Sequence, residues 1–462
     1  MNTDILIVGA GPAGLAAAAN AATSGARIDI IDDNFLAGGQ IWRGGLANQP
    51  DQRARDYWQV LQQAKNVRFH FQTRVVHGSI NASLGTGKDS RAKLELLAEN
   101  AETAMLFQTK NIILTTGARE LLLPFPGWTL PGVMGAGGLQ ALAKNGFPVQ
   151  GKRIIVAGSG PLLLAVAGSL TARGAIVSHI VEQAGLVPLT RFALGLLATP
   201  DKLLQAWQLR RSLRDTRYCP DSYISSAQGE GQLSTVSIKH QHFTETLACD
   251  YLACAYGLIP NTELASALGC TIDMTASAGK VVVNQWQQTN HTHVYCAGET
   301  SGIGGLDLAL AEGAIAGLAA SGQHGLASKR FTERQRWQAF SARLATAFSL
   351  RPELRHLCAP DTLVCRCEDV AYAALQGHDS WRSAKLHTRC GMGACQGRVC
   401  GAASAYLFHW QKDAGRLPCA SARISSLLML SAAPALPQTA AHLPASAEQD
   451  SDRKLRQNNQ SK

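Results

Sequence analysis

The chain has 462 residues, of which 46% are hydrophobic and 16% are charged, so two to four domains with large cores are expected. No apolar run could span a bilayer, and the first residues lack a basic and apolar leader, which predicts a cytoplasmic protein; any association with a membrane would be through partners. The net charge of +10 alone would suit nucleic-acid binding, but the chain has no basic stripe interleaved with aromatic residues, so no nucleic-acid partner is expected.

The first 32 residues predict a strand–helix–strand unit that binds a dinucleotide. An apolar strand leads into Gly9, Gly11 and Gly14 and then into an alanine-rich helix. At this spacing the first glycine permits a tight turn, the second admits a pyrophosphate, and the third lets the helix pack on the strand. The second strand ends at Asp32, near the spacing expected for a carboxylate that binds ribose. The alternative, an ordinary glycine-rich turn, does not explain why the strand, the turn, the helix, the second strand and the acid all fit one pattern.

Later segments are predicted to complete the same site. A glycine pair at Gly38 and Gly39 would let backbone lie close to a ligand, and a buried strand ends in a Thr-Gly pair that would close over it. A strand ending in Glu299 would hold polyol hydroxyls, and a helix from about Leu306 would favour negative charge at its N-terminus. The predicted contacts beyond the glycine turn and Asp32 are Gly39, Gln40, Arg43, Val75 (by its backbone, to adenine), Thr116, Gly117, Gly298 and Glu299.

A second strand–turn–helix unit follows a proline- and glycine-rich boundary at residues 124–133. Gly158, Gly160 and Glu182 match the dinucleotide pattern, but Leu163 occupies the place of the third small residue. The fold is therefore expected to persist, while binding of a second nucleotide at this unit stays open between NAD, ATP and nothing.

The twelve cysteines indicate metal or redox chemistry, since disulfides are rare in cytoplasmic proteins. Cys365, Cys367, Cys395 and Cys400 have the C-x-C and C-x4-C spacing typical of a small helical [2Fe–2S] domain, and Cys390 is a fifth thiol that could replace one of them. A zinc site is the alternative. The other cysteines are expected to be structural: Cys219, Cys249, Cys254, Cys270, Cys296, Cys358 and Cys419.

On these motifs residues 1–330 resemble the flavoproteins with two dinucleotide-binding domains, the class that includes thioredoxin reductase. The resemblance implies FAD with its pyrophosphate at Gly11–Gly14, its ribose at Asp32 and its isoalloxazine near Gln40–Arg43. No C-x-x-C occurs in the chain, and disulfide reductases need a dithiol beside the flavin, so that activity is excluded.

The runs Cys365-Arg-Cys-Glu and Gly391-Met-Gly-Ala-Cys-Gln-Gly-Arg398 extend the resemblance to about residues 1–420. They resemble the α subunits of bacterial multi-subunit amine dehydrogenases, which include the A subunit of opine oxidase, the B subunit of hydrogen cyanide synthase and the α subunits of hydroxyproline or proline dehydrogenase. In that family a β-subunit flavoprotein carries the substrate site. The α subunit would receive electrons and pass them through FAD and [2Fe–2S], and a small ferredoxin-like subunit is a further candidate partner.

The expected fold is therefore α/β, with two thioredoxin-reductase-like dinucleotide-binding domains and a small helical [2Fe–2S] domain at the C-terminus. The predicted division is 1–122 with 285–325 (FAD), 123–284 (second dinucleotide fold), 326–360 (helical connector), 361–420 ([2Fe–2S] domain of the bacterioferritin-associated-ferredoxin type) and 434–462 (disordered tail). Two alternatives to an electron-transferring subunit remain: a self-sufficient NADH-dependent FAD and iron–sulfur reductase, and a metal-delivery or docking module on an inert scaffold.

Overall fold

The computed structural model describes residues 1–45, 49–81, 93–274, 279–411 and 415–431. Residues 1–421 form one compact unit, and residues 422–462 form a second, of which one helix is described. The predicted tail, 434–462, lies outside the described residues. No helix in the described ranges is long and apolar enough to cross a membrane.

The α-helices of the described residues are α1 Pro12–Ala22, α2 Gln52–Gln63, α3 Ala136–Lys144, α4 Leu162–Thr171, α5 Leu186–Gly195, α6 Pro200–Ser212, α7 Glu263–Ala267, α8 Gly305–Ala320, α9 His324–Ser328, α10 Phe331–Ala347, α11 Tyr372–Leu375, α12 Trp381–Thr388, α13 Cys400–Phe408 and α14 Ile424–Ser431.

The strands are β1 Asn2–Val8, β2 Ile28–Ile31, β3 Val67–His70, β4 Arg74–Asn81, β5 Lys93–Glu99, β6 Ala104–Leu114, β7 Ala118–Glu120, β8 Val133–Gly135, β9 Arg153–Gly158, β10 Ile176–Glu182, β11 Arg217–Cys219, β12 Tyr223–Gln228, β13 Thr235–Lys239, β14 Thr244–Ala248, β15 Tyr251–Ala255, β16 Leu258–Pro260, β17 Ile272–Asp273, β18 Lys280–Val281, β19 Val294–Cys296, β20 Leu363–Cys365 and β21 Val370–Ala371.

The largest sheet has the order β3-β2-β1-β6-β5-β4, and β19 also pairs with β6. Strand β6 has different pairing partners along its length. Its first half pairs antiparallel with β5, and its second half lies parallel between β1 and β19. One continuous strand runs from Ala104 to Leu114. The return of β19 brings the later chain to the first glycine turn, as expected.

Helices α1 and α8 cross at very short range on this sheet. A β-carbon on Gly313 would lie 2.2 Å from the carbonyl oxygen of Ala13, and one on Gly317 would lie 2.1 Å from that of Ala17. Only glycine permits such an approach, so the glycines of α8 and the alanines of α1 together fix the helix crossing. The start of α1, which follows the first glycine turn, is thereby held against the middle of α8.

The second parallel sheet has the order β11-β10-β9-β15-β8, and an antiparallel sheet β12-β13-β14 accompanies it. Leu163, the second residue of α4, is fully buried in the hydrophobic core and does not prevent the fold, as predicted. The cysteine-bearing segment that follows α10 contains a small hairpin, β20–β21, and the short helices α11 to α13. Its core is built around the ring of Trp381.

Candidate functional site

The first glycine turn has the geometry that a dinucleotide pyrophosphate requires. Gly9 has a φ of +108°, and a β-carbon on it would lie 2.2 Å from the carbonyl oxygen of Thr115. A β-carbon on Gly14 would lie 1.9 Å from the carbonyl oxygen of Gly9, whereas one on Gly11 would meet nothing within 4 Å. The turn is therefore closed on the protein side and open at Gly11, where the helix N-terminus presents free N–H groups to an anion.

Asp32 lies at the carboxyl end of β2, beside this turn. Its Oδ2 accepts a hydrogen bond from the Ala10 N–H at 2.6 Å, and its Oδ1 accepts from the Asn34 N–H at 2.8 Å. A carboxylate has about four lone-pair positions, so ribose hydroxyls could still bind to it. The backbone contacts hold the side chain in place for that purpose.

Two segments distant in sequence converge on the same turn. A β-carbon on Gly39, which has a φ of +58°, would lie 3.2 Å from the α-carbon of Gly11. A β-carbon on Gly298 would lie 2.7 Å from that of Ala13. The structure therefore brings Gly39 and Gly298 together with the first glycine turn.

The loop after Gly39 contains one buried aromatic anchor and one incompletely bonded cation. Trp42 is 1% exposed and donates a hydrogen bond from Nε1 to Asp51 at 3.1 Å. Arg43 reaches Asn34 at 3.4 Å, but its buried Nε has no partner in the part of the chain that the structure describes. Gln40 is exposed. A buried guanidinium nitrogen without a partner is costly, which favours a ligand or water at this position.

The Thr-Gly pair after β6 lies where the two dinucleotide folds meet. The Thr116 hydroxyl donates to the carbonyl of Asn261 at 2.7 Å and lies 3.1 Å from the Thr300 hydroxyl. The Gly117 carbonyl accepts from the Asn261 N–H at 2.9 Å. Val75 is buried in β4, and its carbonyl accepts from the Cys419 thiol at 3.4 Å.

Two carboxyl groups lie near the return strand β19. Glu299 is partly buried, and desolvation raises its pKa with no opposing hydrogen bond from the described residues. Glu312, on α8, was missed from sequence. It accepts from the Gly298 N–H and the Ser301 hydroxyl, both at 3.0 Å, and burial raises its pKa to about 7. The available indication was an acid in the middle of a helix that is otherwise apolar apart from Asp307 in its first turn.

The second glycine turn has the same kind of carboxylate-to-backbone contact as the first turn. It differs from the first turn because it also contacts a distant part of the chain. The Glu182 carboxylate accepts from the Gly160 N–H at 2.7 Å, and burial raises its pKa to about 7. The Ser159 hydroxyl donates to the carbonyl of Phe348 at 3.1 Å, and a β-carbon on Gly160 would lie 3.9 Å from the Phe348 ring. Gln183 also bonds the carbonyl of Ser349 at 3.1 Å. The residues directly after α10, within the predicted helical connector, therefore lie against this turn.

Five cysteines gather in the C-terminal segment, in two neighbouring groups. The sulfur atoms of Cys365, Cys390 and Cys400 are buried and lie within 4.8 Å of one another. The thiols of Cys367 and Cys395 contact each other. All twelve cysteines lie in the described ranges, and all are free thiols. The four predicted ligands are thus close together, and Cys390 lies among them.

Backbone donors surround two of these sulfur atoms. N–H groups of Cys367, Glu368 and Gly391 donate to Cys365, although burial keeps its pKa raised. Burial acts in the same direction on Cys395, but N–H donors from residues 397–399 and the contact with the Cys367 thiol together outweigh it and lower the pKa. Contact with the Cys390 thiol, together with burial, raises the pKa of Cys400. Such N–H donors stabilise thiolates, the form that binds metals.

Glycines shape the loop that carries these cysteines. Gly391 and Gly397 have φ values of +82° and +70°, and β-carbons on them would lie 2.5 and 3.0 Å from the Trp381 ring. A β-carbon on Gly393 would lie 2.3 Å from that of Cys367. The glycines therefore let the loop wrap the tryptophan and approach Cys367, which explains the run identified in the sequence.

Together these features define a flavin-dependent oxidoreductase with two dinucleotide-binding folds. The chain belongs to the pyridine nucleotide-disulphide oxidoreductase family, whose model matches residues 3–316. It is 31% identical over 430 residues to hydrogen cyanide synthase subunit HcnB of Pseudomonas protegens, covering 87% of this chain and 90% of that protein. It is 32% identical over 442 residues to the A subunit of opine oxidase from Agrobacterium tumefaciens, covering 86% and 84%. The predicted resemblance to these subunits is confirmed.

Solved structures confirm the fold. The L-proline dehydrogenase of P. horikoshii matches with a TM-score of 0.66 and 18% identity, over 92% of this chain and 79% of that chain. The thioredoxin reductase of T. acidophilum matches with a TM-score of 0.52 and 21% identity, over 70% and 98%. The thioredoxin-reductase-like α/β fold is therefore established for the larger part of the chain.

Proposed function

We propose that this chain is the electron-transferring flavoprotein subunit of a multi-subunit dehydrogenase or oxidase of an imino or amino acid, of the opine, hydroxyproline, proline or glycine type. It passes electrons through FAD and a [2Fe–2S] centre. The observation that carries the proposal is the clustering of the four predicted ligands in the same compact unit as the glycine turn: the sulfur atoms of Cys365 and Cys400 lie within 4.8 Å, and the thiols of Cys367 and Cys395 contact each other. A one-electron centre beside a flavin has an evident use, since flavins can release electrons singly.

The relatives support a subunit rather than a complete enzyme. Hydrogen cyanide synthase subunit HcnB and the A subunit of opine oxidase are both named as subunits, and the similarity covers most of their length. We assign the substrate site to a partner, a β-subunit flavoprotein, and a small ferredoxin-like subunit is a further component. The five-part domain division and the [2Fe–2S] domain are parts of this proposal.

In this assignment the chain's residues hold and orient two groups. Bound FAD supplies the capacity to accept two electrons and release them singly. The turn at Gly11 and the N-terminus of α1 hold the pyrophosphate, Asp32 holds the ribose, and Arg43 and Glu299 bind polar groups nearer the isoalloxazine. Cys365, Cys367, Cys395 and Cys400 hold the cluster.

The test is the composition and reactivity of the purified chain. We expect bound FAD, iron and acid-labile sulfide, and an electron paramagnetic resonance signal from a reduced [2Fe–2S] centre after dithionite. Proline, sarcosine or an opine should leave the flavin of the isolated chain oxidised under anaerobic conditions. Rapid bleaching by an amino acid without a partner, or the absence of iron and sulfide, would overturn the proposal.

A self-sufficient NADH-dependent reductase is the second candidate. Its support is the hydrogen bond of 2.7 Å between Glu182 and the Gly160 N–H, which repeats the contact of 2.6 Å between Asp32 and Ala10. The contact of Phe348 and Ser349 with the same turn argues against it, because a pyrophosphate would have to displace them. Anaerobic bleaching of the flavin by NADH would favour this candidate.

A further inference from the structure

The three arginines beside the cysteines have different surroundings. The guanidinium of Arg366 lies 5.2 Å from the ring centre of Trp128. Arg389 is 69% exposed and pairs only locally, with Glu368 at 2.8 Å. Arg398 is partly buried and faces the first dinucleotide-binding fold. Only Arg398 of the three therefore connects the cysteine loop to that fold.

Arg398 makes this connection with both its backbone and its side chain. Its N–H donates to the carbonyl of Cys395 at 3.0 Å. Its carbonyl accepts from Nε of Arg119 at 3.0 Å, and its Nη2 donates to the carbonyl of Cys419 at 3.1 Å. The Cys419 N–H in turn donates to the carbonyl of Val76, in β4, at 2.9 Å.

The charge of Arg398 also acts at the end of β2. Asp33 follows Asp32, the predicted ribose ligand, and the residue as a whole is exposed to solvent. Desolvation of its carboxyl and the adjacent Asp32 raise the pKa of Asp33, and the charges of Arg74 and Arg398 oppose that rise. The guanidinium therefore lies close enough to influence the adenosine end of the predicted FAD site.

Arg119 extends the connection to the Thr-Gly pair. Its Nη1 donates to Oδ1 of Asn261 at 2.7 Å, and its Nη2 lies 3.0 Å from Glu263. Nδ2 of Asn261 donates to the carbonyl of Thr116 at 2.9 Å, and the Thr116 hydroxyl reaches that of Thr300. One continuous hydrogen-bonded path therefore runs from Cys395 to residues flanking Gly117 and Glu299.

We propose that Arg398 and Arg119 form a clasp that couples FAD binding to metal binding at the cysteines, so that each group is held more tightly when the other is present. The proposal rests on the proposed function. A ligand that orders Thr116 and the end of β2 would fix Arg119 and, through it, the loop between Cys395 and Cys400. Coupling between two binding sites is reciprocal, so the same factor must appear in both affinities.

The experiment measures the dissociation constant of FAD on the full chain with and without its iron. In the wild type we expect roughly fivefold or more tighter FAD binding when iron is present, the lower range of ordinary coupling. Arg119→Gln removes the bond from Nε to the Arg398 carbonyl and should bring the ratio close to one. Arg398→Gln keeps that carbonyl but loses the bond to Cys419 and the charge near Asp33, so it should lower the ratio without abolishing it. Arg389→Gln, the matched control, should keep the wild-type ratio, because among the described residues that side chain bonds Glu368 and no group of the first dinucleotide-binding fold.

A double variant tests whether the two arginines act as one unit. If they do, Arg398→Gln with Arg119→Gln should leave the same ratio as Arg119→Gln alone. As the reciprocal measurement, iron in the wild type should resist a competing chelator better when FAD is bound, and this difference should vanish in Arg119→Gln and in the double variant. The wild-type ratio persisting in Arg119→Gln would overturn the clasp, as would a wild-type ratio of one. These results would leave the proposed function intact, whereas a purified chain without flavin or iron would overturn both.

Discussion

Gly14 packs directly beneath the carbonyl oxygen of Gly9, and a β-carbon on Gly14 would lie 1.9 Å from that oxygen. The same carbonyl accepts from the Thr115 hydroxyl at 2.8 Å, so the turn, the start of α1 and the end of β6 are locked together. Gly11, three residues earlier, has no such constraint. The two glycines therefore serve separate purposes, one in folding and the other in leaving room for a ligand.

This difference predicts distinct effects of two alanine substitutions. Gly14→Ala should lower the free energy of unfolding by about 1–3 kcal/mol, because overpacking must displace α1, and the flavin should be lost with it. Gly11→Ala should change stability by less than about 0.5 kcal/mol, because its methyl group meets no protein atom within 4 Å. It should nevertheless weaken FAD binding by roughly tenfold, a cost of about 1.4 kcal/mol.

Chemical denaturation and flavin titration of both variants measure these effects. Equal loss of stability in the two variants, or normal FAD affinity in Gly11→Ala, would show that the turn is not used as described.

Much of the fold could be predicted because its determinants are local. The spacing of Gly9, Gly11 and Gly14 and the apolar runs around them specify strand, turn and helix without reference to the rest of the chain. The full length of strand β6 is harder to predict, because Thr109 and Lys110 interrupt its apolar pattern. In the structure the Thr109 hydroxyl bonds the carbonyl of Asn111, and Lys110 pairs with Asp4 at 2.8 Å.

The functional site could be predicted less well where its contacts join segments that are distant in the sequence. Gly298 was placed by its motif, but its hydrogen bond to Glu312 depends on how α8 crosses α1. The position of Cys390 beside Cys365 depends on the wrapping of the loop around Trp381. Contacts of this kind follow from packing of separate elements, and no spacing rule in one sequence encodes them.

Serine variants of two of the clustered cysteines would distinguish an iron–sulfur centre from a single metal ion. If Cys365, Cys367, Cys395 and Cys400 hold a [2Fe–2S] cluster, Cys390→Ser should retain iron and sulfide, and Cys395→Ser should lose most of both. If zinc binds to the buried group of Cys365, Cys390 and Cys400, the outcome reverses, and Cys390→Ser should lose the metal.

Metal analysis and visible absorption of both variants give the answer, and Cys419→Ser is the control because its thiol bonds the backbone carbonyls of Val75 and Val76, away from the cysteine cluster. Retention of iron by Cys395→Ser and its loss from Cys390→Ser would contradict the predicted ligand set.

The contact at the second glycine turn predicts weak nucleotide binding. Phe348 packs edge-on against Phe192 at 5.3 Å between ring centres, and its carbonyl accepts from Ser159. Wild-type protein should therefore bind NADH or ATP weakly, and Phe348→Ala should bind at least one of them more tightly. Phe340→Ala is the matched control, since Phe340 also contacts Phe192 at 6.0 Å. Calorimetric titration that finds tight binding to the wild type would contradict this prediction.

Glu182 and Glu312 predict a shared pH dependence of stability. They are 1% and 5% exposed, and burial raises the pKa of each to about 7, above the ordinary value of 4.5. Between these values the folded protein binds more protons than the unfolded chain, so their stabilising contribution is full below pH 4.5 and is lost as the pH rises through about 7. Each carboxyl should account for about 2 kcal/mol between about pH 5 and 8.

The free energy of unfolding by urea, measured at about pH 5, 6.5 and 8 on flavin-loaded protein, tests this sign and size. Glu182→Gln and Glu312→Gln should each reduce the decline with pH, since an amide oxygen can still accept from the Gly160 or Gly298 N–H and carries no charge. Glu333→Gln should leave the decline unchanged, because Glu333 is an exposed partner of Arg330. A stability that rises over this pH range, and does so equally in the glutamine variants, would mean that both carboxyls are ionised in the folded protein at low pH.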